Sequence, residues 1–187
     1  MSGFFAVLLW GFGIYLALEF IVAPFVVPHL RRVRVPSRIP EDLRKTAVRL
    51  SEEHPDDLSF LRAVLDEVKS RYYVSWMQHY RYPRNIFRRD IEKIWNEQRG
   101  DQQLCHVFSF IIKTMLVASG RFTDEEVTGH TTIHHLNIHH YLSVVTDRGL
   151  VYVDGWGYVG GKLELGEYAF GLGRRGTPIV NETTRGR

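Results

Sequence analysis

The chain has 187 residues and a formal net charge of +3, with 44% apolar, 13% aromatic and 24% charged residues. This composition is typical of a globular protein with one sizeable domain and an appendage. The basic residues are scattered and are not interleaved with stacking aromatics, so we expect no nucleic-acid partner. Cys105 is the only cysteine, which excludes a disulfide within the chain and favours a reduced thiol.

An apolar segment opens the chain. Residues 3–27 carry Glu19 as their only formal charge, and about 20 apolar residues suffice for a helix that crosses the hydrocarbon core. A secretory signal peptide would have a basic start, a shorter apolar region and small residues at a cleavage point. The sequence therefore predicts an uncleaved, single-pass anchor over residues 1–30, which contacts the lipid bilayer through residues 3–27.

Basic residues follow the apolar segment, and no Lys or Arg precedes it. The nearest are Arg31, Arg32, Arg34 and Arg38. By the positive-inside rule, this distribution predicts that the amino terminus lies outside and the following domain in the cytoplasm.

The soluble part is predicted to begin with helices. Residues 31–39 form a basic linker broken by prolines, residues 40–180 a single domain, and residues 181–187 a polar tail. Apolar residues at helical spacing predict helices over residues 41–53, over a second stretch capped by Asp56 or Asp57, and over residues 86–97.

Cys105 opens the most apolar helix of this part, which is predicted to run to Ala118 with Gly120 as its carboxyl-terminal cap. From Thr131 the pattern changes to strands, at residues 141–145 and 149–153, with a tight turn between them. Helices first and strands afterwards predict an α+β domain whose antiparallel sheet packs on the cysteine-bearing helix.

Three residues of this pattern can act together chemically. His139 follows Cys105 by 34 residues, and Asp154 follows His139 by 15. A thiol is nucleophilic as thiolate, and both the positive end of a helix dipole and an imidazolium lower its pKa. The histidine needs a carboxylate that fixes its tautomer, and antiparallel strands bring His139 and Asp154 side by side. We therefore predict a catalytic triad of Cys105, His139 and Asp154.

The order of these residues resembles the transglutaminase-like superfamily, whose core is a Cys-bearing helix, a His-bearing strand and an Asp-bearing strand. The resemblance covers residues 39–158 and is closest in motif to the bacterial transglutaminase-like cysteine proteinases. It implies a papain-like fold and attack of the thiol on an amide bond of a peptide or protein substrate. The matching residues are Cys105, Phe108, Ser109, Leu116 and Gly120 on the helix, and His139, Tyr141, residues 142–149 and Asp154 on the strands.

Two features of this site stay open in the sequence. Neighbouring strand residues face opposite sides, so only one of His139 and His140 can meet Cys105. The spacing to Asp154 selects His139 and leaves His140 as the alternative. An oxyanion hole is also needed, and its donors can be the backbone N–H of Cys105 or the side-chain amide of Gln102 or Gln103.

The histidine-rich segment allows a rival interpretation, a metal-binding hydrolase, because histidines are common zinc ligands. Five histidines lie between residues 130 and 140. In a continuous strand, His135 and His139 would share one face while His134 and His140 shared the other. No H-E-x-x-H motif accompanies them, so our leading prediction includes neither a metal nor a cofactor.

The sequence thus favours a membrane-anchored cysteine enzyme that transfers acyl groups from amide bonds, with hydrolysis expected over cross-linking. A second hypothesis is a catalytically silent module of the same fold that binds peptide and scaffolds a membrane complex. Fold resemblance does not decide between these activities.

Overall fold

The computed structural model describes residues 2–74, 83–96 and 103–177. The helical elements are α1 (Ser2–Ala17), a π-helical turn (Leu18–Val22), α2 (Ala23–Val26), α3 (Glu41–Glu53), α4 (Asp57–Arg71), a 3₁₀ helix (Pro83–Phe87), α5 (Ile91–Trp95), α6 (Cys105–Ala118) and α7 (Gly155–Val159). The strands are β1 (Val127–His134), β2 (Asn137–Thr146), β3 (Gly149–Val153), β4 (Glu167–Phe170) and β5 (Gly173–Gly176). This content confirms the predicted α+β class.

The first three helical elements form one apolar rod. Over Gly3–Val26 the rod is long and apolar enough to cross a membrane. After it the chain turns at His29, which has a φ of 63°. Leu30 and Val33 are buried, so the start of the predicted linker packs against the domain.

Two of the predicted helices are confirmed closely. The helix α3 occupies the predicted residues, and α4 is capped by Asp56, whose Oδ1 accepts a hydrogen bond from the backbone N–H of Ser59 at 3.0 Å. Both helices are amphipathic and place their apolar residues in one core with α6.

The single helix predicted over residues 86–97 is wrong. Asp90 accepts hydrogen bonds from the backbone N–H groups of Glu92 and Lys93, at 3.1 and 3.2 Å. Because this capping starts a helix at Ile91, α5 is separate from the 3₁₀ helix that precedes it. The sequence also predicts a short aromatic stretch from Tyr72 to Trp76 and a turn at residues 99–101. Residues 72–74 of that stretch are described, whereas Trp76 and the turn lie outside the described residues.

The helix α6 is the centre of the domain. Its residues 105–116 are all buried, and Gly120 follows it with the left-handed φ of 77° that a carboxyl-terminal cap requires. The antiparallel sheet β1-β2-β3 packs on α6 through its middle strand β2, while β4 and β5 form a separate hairpin. The predicted packing of the sheet on the cysteine-bearing helix is therefore observed.

The middle strand β2 is longer than predicted and extends beyond β3. The register pairs Leu142 with Val153, so β3 pairs with residues 142–146 only. Residues 137–141 of β2 pair with β1 alone, and their other edge faces Asp154 and the apolar rod. This overhang carries His139.

Candidate active site

Three elements bring the predicted triad together. Cys105 is the first residue of α6, His139 lies on the overhang of β2, and Asp154 directly follows β3. Nε2 of His139 lies 2.5 Å from Oδ2 of Asp154, and the imidazole is close enough to the Cys105 thiol to lower its pKa. Since Nε2 is engaged by the carboxylate, Nδ1 is the ring nitrogen left for the thiol.

Asp154 is held in place by two further hydrogen bonds. Its Oδ1 accepts from the backbone N–H of Gly157 at 2.9 Å, which makes Asp154 the amino-terminal cap of α7. Its Oδ2 accepts from the backbone N–H of Ala169 on β4, also at 2.9 Å. The carboxylate is only 2% exposed. Because both of these donors are backbone groups, the carboxylate is held rigidly and is suited to orient the imidazole of His139.

The site favours a thiolate beside an imidazolium. Burial opposes ionisation of Cys105, but hydrogen bonds with His106 and His139 and the charge of His139 outweigh it and lower the pKa of the thiol to about 5. Burial likewise opposes a charge on His139, but the charge and hydrogen bond of Asp154, with those of Cys105, raise its pKa to about 10. At neutral pH the nucleophile is therefore already ionised.

His106 is a member of the site that sequence reasoning missed. Its ring is buried, lowers the pKa of the Cys105 thiol, and places Nε2 3.1 Å from the backbone carbonyl of Ile86. Because a carbonyl only accepts, Nε2 carries a proton. The signal was present in the sequence, since a histidine next to the thiol in the first helical turn must lie near it.

The oxyanion hole has two structural candidates. Leu104 caps α6 without a side-chain hydrogen bond, and the backbone N–H of Cys105 stands at the positive end of this helix. Gln103 is fully buried, and its Oε1 lies 3.3 Å from Nη1 of Arg88, which orients the side-chain amide. Gln102 lies outside the described residues.

The alternative histidine, His140, points away from the thiol. Its Nδ1 lies 2.8 Å from the hydroxyl of Ser109, one helical turn into α6, and burial lowers its pKa well below the usual range. Gly129 on β1 leaves room for this ring, since a Cβ there would stand 3.0 Å from its Nε2. The structure thus brings His139, and not His140, next to Asp154 and the Cys105 thiol.

The predicted faces of the histidine-rich segment are wrong. His135 and Leu136 have φ angles of 47° and 64°, so they form the tight turn between β1 and β2 and break the strand alternation. As a result His134, and not His135, shares a face with His139, with ring centroids 5.8 Å apart. Within residues 2–74, 83–96 and 103–177, no three His, Cys, Asp or Glu side chains are grouped as metal ligands, so the metal interpretation gains no support there.

A cavity of about 320 Å³ lies beside the triad. Trp156 separates the cavity from His139, whose ring packs edge-on against the indole at 5.6 Å. Other lining residues are His134, Lys162, Leu163, Leu172 and Arg174. A larger cavity of about 900 Å³ runs along α4. Neither cavity is lined by a triad residue, but His134 and Trp156 of the smaller one pack against the ring of His139, so the smaller one is the candidate substrate site.

In comparisons with known proteins, no family model matches this chain, and neither a curated protein nor a solved structure matches it significantly.

Proposed function

We propose that this protein is a membrane-anchored cysteine enzyme of transglutaminase-like type that transfers acyl groups from amide bonds. The observation that carries the proposal is the buried row of Cys105, His139 and Asp154. A structural cysteine in a core needs neither an imidazole nor a carboxylate behind it, whereas a nucleophile needs both.

The reaction follows from the charges of the row. The Cys105 thiolate attacks the amide carbonyl, and the oxyanion faces the backbone N–H at the start of α6. When the carbon–nitrogen bond breaks, the His139 imidazolium gives its proton to the leaving amine, and a thioester remains on Cys105. Neutral His139 then takes a proton from water as the water attacks the thioester, which releases the acid and restores the thiolate and the imidazolium.

Asp154 serves as the positioning residue. Its hydrogen bond to Nε2 directs Nδ1 toward the sulfur and stabilises the imidazolium. An amine in place of water would give a cross-linked product. We propose hydrolysis as the main outcome, because water reaches any open thioester without a dedicated binding site for a second substrate.

Covalent trapping tests this function. An electrophilic peptide, such as a peptidyl vinyl sulfone, should label Cys105 of the wild type, and Cys105→Ala should abolish the label. His139→Ala should slow labelling by about 100-fold, since the imidazolium both keeps the thiol ionised and gives a proton to the carbanion that addition creates. His54→Ala is the matched control, because His54 ends α3 away from the row. Absence of labelling in the folded wild type would instead favour the silent peptide-binding scaffold.

We also propose a single-pass membrane location with the domain on the cytoplasmic side. The apolar rod supports the first part, and the arginines that follow it support the second. Protease treatment of intact cells or spheroplasts should leave a carboxyl-terminal tag undigested until the membrane is permeabilised. Digestion of the tag in intact membranes would reverse the orientation.

A further inference from the structure

The apolar rod and the active-site sheet are joined by polar contacts. We define the hairpin tip as residues 133–138, the turn between β1 and β2 with its flanking residues. Oε1 of Glu19 accepts a hydrogen bond from the backbone N–H of Ile138 at 2.8 Å. The hydroxyl of Tyr15 lies 3.1 Å from the carbonyl of Leu136 and 2.8 Å from Oδ1 of Asn137. His139 is the residue that follows Ile138.

These contacts fix the depth of the hairpin tip along the rod. The 24 residues of Gly3–Val26 span about 36 Å as a helix, while the hydrocarbon core is about 30 Å thick. Glu19 stands seven residues before Val26, or about 10 Å along the axis. With the rod centred across a bilayer, Glu19 therefore stands about 7 Å on the hydrocarbon side of the headgroup boundary, and the hairpin tip that it contacts reaches into the bilayer.

Apolar side chains are exposed on the hairpin tip and on the neighbouring turn. Ile133 and Leu136 on the hairpin tip are 51% and 58% exposed, and Leu172 between β4 and β5 is 86% exposed. Two backbone hydrogen bonds join the turns that carry them, from His135 N–H to the Gly171 carbonyl at 2.9 Å and from Gly171 N–H to the Ile133 carbonyl at 2.8 Å. The two turns are thus joined through their backbones, and we call their three exposed side chains, at this end of the sheet beside the apolar rod, the rim.

Cationic side chains stand behind this rim. Arg174 and Arg175 lie on β5, two and three residues after Leu172, and both are exposed. The guanidinium of Arg175 lies over the ring of Phe170 at 3.5 Å, and the ammonium of Lys162 lies over Trp156 at 5.5 Å. An apolar edge backed by cations fits a membrane surface that contains anionic lipids.

From this arrangement we infer that the rim of Ile133, Leu136 and Leu172 inserts into the same bilayer that the rod crosses. The cavity beside the triad is lined by Leu172, Lys162 and Arg174, so it opens at the level of the lipid headgroups. If the cavity takes the substrate, a step that rests on the proposed function, this placement points to substrates held at the membrane surface, such as membrane-proximal peptide segments. The insertion itself does not depend on catalysis.

The chain offers a matched pair of positions for a test. Leu136 and Leu150 are both leucines and both 58% exposed. They lie at opposite ends of the sheet, since β2 runs from Asn137 to Thr146 and β3 starts at Gly149. Ten strand residues span about 30 Å, which separates a position in lipid from one in water.

The experiment places a nitroxide spin label at Leu136→Cys or Leu150→Cys in the full-length Cys105→Ser chain. The protein is reconstituted in vesicles of phosphatidylcholine and phosphatidylglycerol. We expect collisions with oxygen, relative to those with a water-soluble nickel chelate, to be at least five times more frequent at residue 136 than at residue 150. Equal ratios at the two positions would overturn the inference. A label at Leu172→Cys repeats the test on the second turn and should also report lipid.

Glu19 supplies an independent readout. Glu19→Leu removes the acceptor of the Ile138 N–H, whereas Glu19→Gln keeps a carbonyl oxygen at the same place. We expect hydrogen exchange at Ile138 to accelerate at least tenfold in Glu19→Leu and to stay near the wild-type rate in Glu19→Gln. Unchanged exchange in Glu19→Leu would show that the rod does not hold the hairpin tip. Because Cys105 is replaced in the first test and untouched in the second, failure of the proposed chemistry would affect neither.

Discussion

At the scale of residues, the site depends on how three buried polar groups compensate one another. Burial alone would keep Cys105 protonated and His139 neutral. Each charge is retained because the other stands next to it, and Asp154 adds the second negative charge. A buried pair of this kind is costly to break from one side, since the remaining charge loses its partner.

The ionised thiol gives a direct prediction for alkylation by iodoacetamide. With a pKa of about 5 for Cys105, the rate should be nearly constant between pH 6.5 and 8.5. An ordinary thiol, with a pKa near 8.5, would react almost tenfold faster with each pH unit over the lower part of this range. In His139→Ala the thiol loses its imidazolium, so we expect the rate at pH 6.5 to fall by about tenfold or more. The measurement is loss of the free thiol, followed by mass spectrometry.

His54→Ala controls for the general effect of removing a histidine and should keep the flat profile. A wild-type rate that climbs with pH as a normal thiol does would contradict the ion pair. His106, which also lowers the pKa of the thiol, remains in His139→Ala, so the pKa should not return fully to the value of a free cysteine.

At the scale of elements, close packing of α7 on α6 positions the carboxylate. Gly155 follows Asp154, and a Cβ at this position would lie 2.4 Å from Cδ1 of Ile112 and 3.0 Å from Cβ of Phe108. A glycine therefore allows the two helices to approach until Asp154 meets His139. The helix α7 was not predicted, because its glycine-rich sequence carries no helical periodicity and its cap is Asp154, a member of the candidate triad.

Gly155→Ala tests this close approach. The added methyl group must displace Ile112 and push against Phe108, and overpacking of this kind costs about 1–3 kcal/mol of unfolding free energy. Urea unfolding measures that loss, and the rate of labelling by the electrophilic peptide should fall with it because Asp154 moves together with α7. Gly173→Ala is the matched control, since a Cβ there meets nothing within 4 Å. Equal stability of the two variants would show that α7 is free to shift.

Sequence patterns predicted those elements whose periodicity and caps are local. The helices α3, α4 and α6 and the strand β3 followed from apolar spacing and from Asp56 and Gly120. The predicted elements differ from the observed ones where a short polar residue caps a new helix, as Asp90 does at the start of α5. They differ again where two left-handed residues at the hairpin tip reversed the faces of the histidines.

The three main members of the candidate site were predicted from their order and spacing along the chain, and the structure brings them together. His106 was not predicted, because partners of the thiol were expected on the later strands and not on the cysteine-bearing helix itself. The contact between Glu19 and Ile138 could not be predicted, since it joins residues 119 positions apart with no shared pattern.

At the scale of the whole molecule, several histidines are buried or half-buried. The ring of His29 stacks on Phe110 at 3.8 Å. Burial is the main cause of its lowered pKa of about 4, and the charges of His106 and Arg89 lower it further. Burial also lowers the pKa values of His130, His134 and His140. The fold thus keeps several imidazoles neutral at a pH where the unfolded chain would begin to protonate them.

This arrangement predicts that the protein is acid-labile. A histidine whose folded pKa lies below its unfolded value near 6.5 contributes stability above that pH and loses it as the pH falls. The triad pair acts in the same direction below pH 6.5, since the unfolded chain binds two protons on Cys105 and His139 while the folded site binds one until about pH 5. Between pH 6.5 and 9 both states of the pair bind one proton, so its contribution is constant there.

Urea unfolding of the full chain in detergent, followed at pH values from 8.0 to 4.5, measures this dependence. Each extra proton bound by the unfolded state costs about 1.4 kcal/mol per pH unit, so we expect a flat region above pH 7 and a steep fall below pH 6. His29→Phe keeps the stacking on Phe110 and removes a titrating ring whose Nε2 has no hydrogen-bond partner among the described residues. This variant should match the wild type at pH 8 and exceed its stability at pH 5. Parallel pH curves for the two proteins would show that His29 is already protonated in the fold, and a wild type equally stable at pH 5 and pH 8 would contradict the neutral cluster as a whole.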